Sequence, residues 1–72
     1  MRKIKKIEIR VNGKVKYISD KYKISDLVKN LKIPMKKVAI ELNQEIIDKK
    51  KINKISLKKK DKIEIVHFIG GG

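Results

Sequence analysis

The chain contains no cysteine and no tryptophan, and only one proline and one histidine among its 72 residues. Without cysteine, disulfides, thiolate metal sites and catalysis by a cysteine of the chain's own are all excluded. A single histidine, His67, likewise excludes a metal site built from several imidazoles. We therefore predict no metal site.

The chain also lacks a long apolar run. Charged residues interrupt every apolar stretch of the N-terminal segment, so there is no signal-peptide core. No stretch approaches the length of about 20 residues that a membrane-spanning helix needs. We expect a cytoplasmic protein with no membrane partner.

The size of the chain limits the kind of function it can have. A length of 72 residues allows one small domain, which we place at 1–72. A domain of this size buries only about 60% of the surface its unfolded chain exposes. A hydrophobic content of 40% supports one sheet packed on one helix, without room for a deep pocket. We therefore do not expect an enzyme.

Positive charge is in large excess, with 21 Lys and Arg against 8 Asp and Glu and a formal net charge of +13. Such a charge indicates an anionic partner, namely nucleic acid, an anionic membrane or an acidic protein surface. A second interpretation is compositional, because abundant Lys, Ile and Asn together are typical of AT-rich genomes. The clusters at 49–51 and 58–62 then lie in solvated loops, and we favour this interpretation.

The first third of the chain has the pattern of a β-hairpin. Apolar residues alternate with charged ones over 7–11, as in a half-buried strand. Asn12-Gly13 is a strong turn signal, and 14–19 is the returning strand. We expect a longer turn or a bulge near Gly13, because that would pair Val11 with Val15.

A helix and further strands follow. Apolar residues at helical spacing form one face, made of Ile24, Leu27, Val28 and Leu31. Pro34 disfavours helix at the residue before it and marks the end of this segment. The remaining pattern predicts strands at 38–42 and 45–47, an exposed loop at 49–51, a turn at 58–61 and a last strand at 62–69. One helix on a mixed sheet of four to five strands is an α+β fold.

The chain ends in three of its four glycines, Gly70, Gly71 and Gly72. We expect a flexible tail over 69–72, because glycine has no side chain and the greatest conformational freedom. Such a tail can enter a narrow channel and present the carboxylate of Gly72. That carboxylate can attack the α-phosphate of ATP to give an acyl-adenylate. The chain has no nucleotide-binding motif of its own, so another protein must bind the ATP.

Phe68 and Ile69 precede the glycines and are candidates for docking a partner. They are equally suited to be the last core residues of the strand. His67 is more typical of an ordinary strand residue than of an acid–base group. A frayed terminus is the alternative interpretation of the glycines themselves.

The segment from Asp61 to Gly72, DKIEIVHFIGGG, closely resembles the end of the thiamine-biosynthesis sulfur-carrier proteins, the ThiS family. The segment from Val38 to Ile47, VAIELNQEII, resembles their third strand and turn. The hairpin and the helix ending at Leu31 fall in the expected places, so the resemblance covers essentially the whole chain. The chain departs from the family in two ways: its N-terminal segment is a few residues longer than in compact members, and its net charge is more positive.

The resemblance implies a ubiquitin-like β-grasp fold and a carrier of sulfur for thiazole synthesis. It implies that an ATP-dependent adenylyltransferase activates Gly72, with Gly71 and Gly70 threading into that enzyme. A sulfur-donor system then converts the carboxylate into a thiocarboxylate, whose sulfur passes to thiazole synthase. The absence of cysteine fits this role, because the sulfur is held by the terminal acyl group. No cofactor is bound by the chain itself.

Three other functions remain open at this point. The small subunit of molybdopterin synthase and a ubiquitin-like protein modifier use the same tail chemistry. Phe68-Ile69 before the glycines favours the thiamine branch over the first, since prolines are frequent there in that subunit. A small nucleic-acid-binding domain belongs to a different class. Its stacking residues would be few, because aromatics make up only 4% of the chain.

Overall fold

The computed structural model describes residues 5–68, which form a mixed five-stranded sheet and one α-helix. In sheet order the strands are β2-β1-β5-β3-β4. This confirms the predicted α+β fold. The elements are β1 (Lys6–Val11), β2 (Lys14–Ser19), α1 (Ile24–Leu31), β3 (Val38–Leu42), β4 (Glu45–Ile46) and β5 (Lys62–His67).

The hairpin of β1 and β2 has a strict two-residue turn, so the predicted bulge is wrong. Val11 pairs with Lys14, and both turn residues have positive φ, 50° at Asn12 and 81° at Gly13. These angles suit the tight turn whose twist matches that of the strands. Val15 and Tyr17 consequently point away from the helix, and both are exposed.

Ile18, rather than Val15 or Tyr17, is the residue of β2 that packs in the core. Ile18 pairs with Ile7 and is only 5% exposed. Lys16 pairs with the fully buried Ile9 and is itself half-buried. We infer that the aliphatic stem of Lys16 covers this edge of the core, as long cationic side chains commonly do.

Helix α1 has a hydrogen-bonded N-terminus and ends where the backbone becomes left-handed. The carboxylate of Asp26 accepts a hydrogen bond from the backbone N–H of Lys23 at 2.8 Å. After Leu31 the backbone of Lys32 turns left-handed, with φ 54°. Three of the four predicted face residues are buried, but Leu31 is 41% exposed. Leu31 is the last residue of α1, and the buried part of the apolar face is made of the other three.

Short helical segments lie before β3 and after β4, and the second of them replaces the exposed loop predicted at 49–51. Met35–Lys37 and Lys49–Lys51 each form one turn of 3-10 helix. The second turn starts at Asp48, whose carboxylate accepts from the backbone N–H of Lys50 at 2.9 Å. Lys49 is half-buried there rather than solvated.

The sheet has one face covered by α1 and one open face. The buried core lies between helix and sheet and consists of Ile9, Ile18, Ile24, Leu27, Val28, Val38, Ile40, Leu57 and Ile63. Successive side chains of a strand point to opposite faces. The residues that alternate with the core positions therefore define the open face. Within 5–68, no helix is long and apolar enough to cross a membrane.

Candidate functional site: the central strand and the open face

The strand that leads to the C-terminal glycines lies at the centre of the sheet. β5 runs parallel to β1, with Val11 opposite Ile63, and antiparallel to β3. Its pairing with β3 extends to His67, opposite Val38. One further backbone bond joins the N–H of Phe68 to the carbonyl of Lys37 at 2.9 Å. The chain is thus held by the sheet up to Phe68, the residue before 69–72.

An asparagine in the hairpin turn extends the hold on β5 beyond the end of β1. The backbone N–H of Asn12 donates to the carbonyl of Ile63 at 2.9 Å. Its side-chain Oδ1 accepts from the backbone N–H of Ile65 at 2.7 Å. β1 ends at Val11 and has no further residue to pair with Ile65, so the Asn12 side chain provides the acceptor that the Ile65 N–H needs.

A second asparagine secures the start of β5 from the opposite side. Asn43, in the turn after β3, accepts from the backbone N–H of Lys62 at 2.9 Å through Oδ1. Its Nδ2 donates to Asp61 at 3.0 Å. Asp61 in turn accepts from the backbone N–H of Lys58 at 2.7 Å. The predicted turn at 58–61 is therefore well ordered, despite its lysines.

The open face carries an apolar area on the side of the sheet formed by β3, β4 and β5. Val66 pairs with Ala39, and Ile46 pairs with Glu41, so all four side chains lie on this face. Ile46 is 76% exposed and Val66 is 44% exposed. Phe68 continues the alternation two residues after Val66 and is 53% exposed. We call Ile46, Val66 and Phe68 the apolar patch.

Charged residues separate the apolar patch from the far edge of the sheet. Glu41 lies directly opposite Glu64, and Arg10 lies beside Lys62. Like charges on directly paired positions are unfavourable in an isolated sheet. A partner with complementary charges would relieve that cost.

Of the predicted site residues, the structure describes Phe68 and not Ile69, Gly70, Gly71 or Gly72, which lie outside 5–68. Phe68 is half-exposed at the edge of the patch, so it is available to a partner. His67 is an exposed residue at the end of β5. Ile46 and Val66 were missed by the sequence analysis. The alternation in β5 gave a signal for Val66, whereas exposure of Ile46 depends on the position of β4 at the sheet edge.

A mixed sheet with a central parallel pair, a single covering helix and a C-terminal strand at its centre defines the ubiquitin-like β-grasp class. A solved structure supports this assignment. The thiamine biosynthesis protein ThiS from Geobacter metallireducens superimposes with a TM-score of 0.79 at 28% sequence identity. The match covers 92% of this chain and all of that one.

The ThiS family model matches residues 9–72, so the match runs through the terminal glycine. The sulfur carrier protein ThiS of Bacillus subtilis is 43% identical over 65 residues, which are 89% of this chain and 98% of that protein. The chain belongs to the ThiS family. The family, the β-grasp fold and the class of a carrier protein, all predicted from the sequence, are confirmed.

A thiazole synthase also contains a region similar to this chain. The enzyme of Paramagnetospirillum magneticum is 35% identical over 66 residues, which are 92% of this chain but only 20% of that protein. A second thiazole synthase, from Magnetococcus marinus, matches over the same shares at 32% identity. A carrier-like region and a thiazole synthase thus occur within one polypeptide in these proteins.

Proposed function

We propose that this protein carries sulfur for the synthesis of the thiamine thiazole, as a thiocarboxylate on Gly72. The observation that carries the proposal is the family match over 9–72, which includes the reactive terminus. The match favours the thiamine branch over a molybdopterin synthase subunit and over a protein modifier. The net charge was the main reason to propose nucleic-acid binding. Because the family match explains the function of the chain without using that charge, nucleic-acid binding is not proposed.

The chemistry proceeds in two displacements. A carboxylate oxygen of Gly72 attacks the α-phosphate of ATP, and pyrophosphate leaves. Sulfide (HS⁻) from the donor system then attacks the acyl carbon of the adenylate, AMP leaves, and the new C–S bond gives the thiocarboxylate. This chain supplies only the acyl group, while an E1-like adenylyltransferase supplies the ATP site. Since the partner consumes ATP, we place the reaction in the cytoplasm.

Thiazole synthase is the proposed acceptor of the sulfur. The support is the carrier-like region within the two thiazole synthases. Two regions joined in one chain stay at a high effective concentration, which favours transfer between them. A carrier that is a separate molecule needs a docking surface to reach a comparable local concentration.

The apolar patch is the proposed docking surface for both partners, and Ile69 follows its last member, Phe68, in the sequence. An exposed apolar area beside a functional terminus is typical of a protein-binding site. Ordering the tail costs on the order of 1–2 kcal/mol per residue, and contacts made by the patch offset that cost.

Replacing Ile46 by Lys is expected to weaken binding to the adenylyltransferase about 10- to 100-fold, since a charge must then be buried in the interface. Folding should be unchanged, because Ile46 is 76% exposed and the new cation lies opposite Glu41. Asn30→Lys adds the same charge to an exposed position of α1 and serves as the control. Titration calorimetry of both variants checks this. Equal affinities would show that the patch is not the docking surface.

The function itself is tested by intact mass. The protein is incubated with ATP, a sulfur donor and the adenylyltransferase, and we expect the mass increase of one oxygen replaced by one sulfur. Fragmentation should place the increase on the C-terminal peptide. Transfer of labelled sulfur to the product of thiazole synthase completes the test. No increase with an adenylyltransferase active on its own carrier would refute the proposal for that partner.

A further inference from the structure

Lys49 makes contacts unlike those of a solvated lysine. Its Nζ donates to the backbone carbonyl of Met35 at 2.6 Å. The same Nζ lies 5.3 Å from the centre of the Phe68 ring. This distance is within the range of a cation–π interaction. One half-buried ammonium group therefore joins the turn before β3, the turn after β4 and the end of β5.

The backbone around this contact is held on each side. The 3-10 turn that carries Lys49 is capped by Asp48. Met35 lies in the other 3-10 turn, which leads directly into β3. Phe68 itself is joined to Lys37 through its backbone N–H. The ring of Phe68 thus rests against a cation whose own position is fixed.

We propose that Lys49 is a positioning residue that holds Phe68, the residue from which the chain continues into 69–72. This role rests on the proposed function, because it matters only if the terminus must reach a partner's active site. Holding Phe68 in one position raises the fraction of time that the Gly72 carboxylate is within reach of the α-phosphate.

The role predicts a separation of catalytic constants. Ile46 and Val66 are placed by β4 and β5 and not by the Lys49 cation, so most of the apolar patch is kept when the cation is lost. The KM for the carrier should therefore change by less than about twofold. The kcat for thiocarboxylate formation should fall about fivefold. At 1.36 kcal/mol per tenfold this corresponds to about 1 kcal/mol, the size of a partly desolvated cation–π contact.

The experiment compares Lys49→Met, which keeps the aliphatic length, with Lys49→Arg, which keeps the cation. Lys51→Met is the matched control. Lys51 is exposed and lies two residues after Lys49, so the substitution removes the same charge without removing the contact with Phe68. Two measurements are made on each variant: amide hydrogen exchange at Phe68 by NMR, and the kinetics of thiocarboxylate formation. Denaturant unfolding checks that all variants are folded.

We expect about fivefold faster exchange at Phe68 and a fivefold lower kcat for Lys49→Met alone, with Lys49→Arg close to the unmodified protein. In a Phe68→Leu background, Lys49→Met should have little further effect, because the ring is already gone. Exchange at Phe68 equal to that of the Lys51 control would overturn the proposed contact.

Faster exchange with an unchanged kcat would overturn the positioning role and leave the sulfur-carrier function standing. If the unmodified protein gains no sulfur, the proposed function fails and the positioning role fails with it. The exchange data still decide whether Lys49 holds Phe68 in that case, so the two failures are distinguishable.

Discussion

Deletion of Gly72 is expected to abolish sulfur uptake while leaving the fold intact. The deletion moves the terminal carboxylate back by about 3.3–3.6 Å, the length of one extended residue. A misplacement of about 1 Å at a reacting group can cost about 100-fold in rate. We therefore expect thiocarboxylate formation to fall at least 100-fold, to a level that intact-mass measurement does not detect.

Two controls separate this effect from others. Denaturant unfolding of the shortened protein should superimpose on that of the full chain, because the core lies within residues 9–63. His67→Gln should form the thiocarboxylate at an unchanged rate, since His67 is an exposed strand residue with no assigned role in the chemistry. Full activity of the shortened chain would place the reactive group elsewhere. A large decrease in the rate of thiocarboxylate formation by His67→Gln would indicate that His67 acts as an acid–base group.

Replacing Ile40 by Ala is expected to remove a large part of the protein's stability. Ile40 is 1% exposed and pairs with Ile65 at the junction of β3 and β5. Truncation of a buried isoleucine to alanine costs about 2–5 kcal/mol, from lost burial and the cavity left behind. At about 0.05–0.15 kcal/mol per residue, a chain of 72 residues has a total stability of about 4–11 kcal/mol.

Ile46→Ala is the matched control, because it makes the same chemical change on a side chain that is 76% exposed. Its free energy of unfolding should change by less than about 0.5 kcal/mol. Urea denaturation measures both variants, and the slope of the free energy with urea should be the same for each if both unfold in two states. Equal destabilisation by the two substitutions would contradict the division into a covered and an open face.

The two predictions assign stability and function to different parts of a small chain. The side chains that face α1 stabilise the fold, and the exposed residues at the end of β5 are available to partners. Ile40 and Ile46 lie on neighbouring strands but face opposite sides of the sheet, and Ile46 is also on the edge strand. A carrier can therefore keep its docking side chains exposed without weakening the core.

The sequence alone determined the features that depend on residues close together in the chain. Alternation over 7–11 predicts β1, and the spacing from Ile24 to Val28 predicts the buried face of α1. Asn12-Gly13 predicts the turn, since few residues tolerate positive φ. The terminal glycines and the segment before them were enough for the resemblance to the ThiS family.

Only the tertiary structure decided which face each side chain occupies and which distant groups meet. The alternation in β2 fits two registers, and the tight turn together with burial of Ile18 selects the one that exposes Val15. The bond from Asn12 to Ile65 joins residues 53 positions apart. The contact of Lys49 with Phe68 likewise needs β3 and the ends of β4 and β5 to be in place. Local patterns carry no record of such contacts, because they form only when the strands assemble into one sheet.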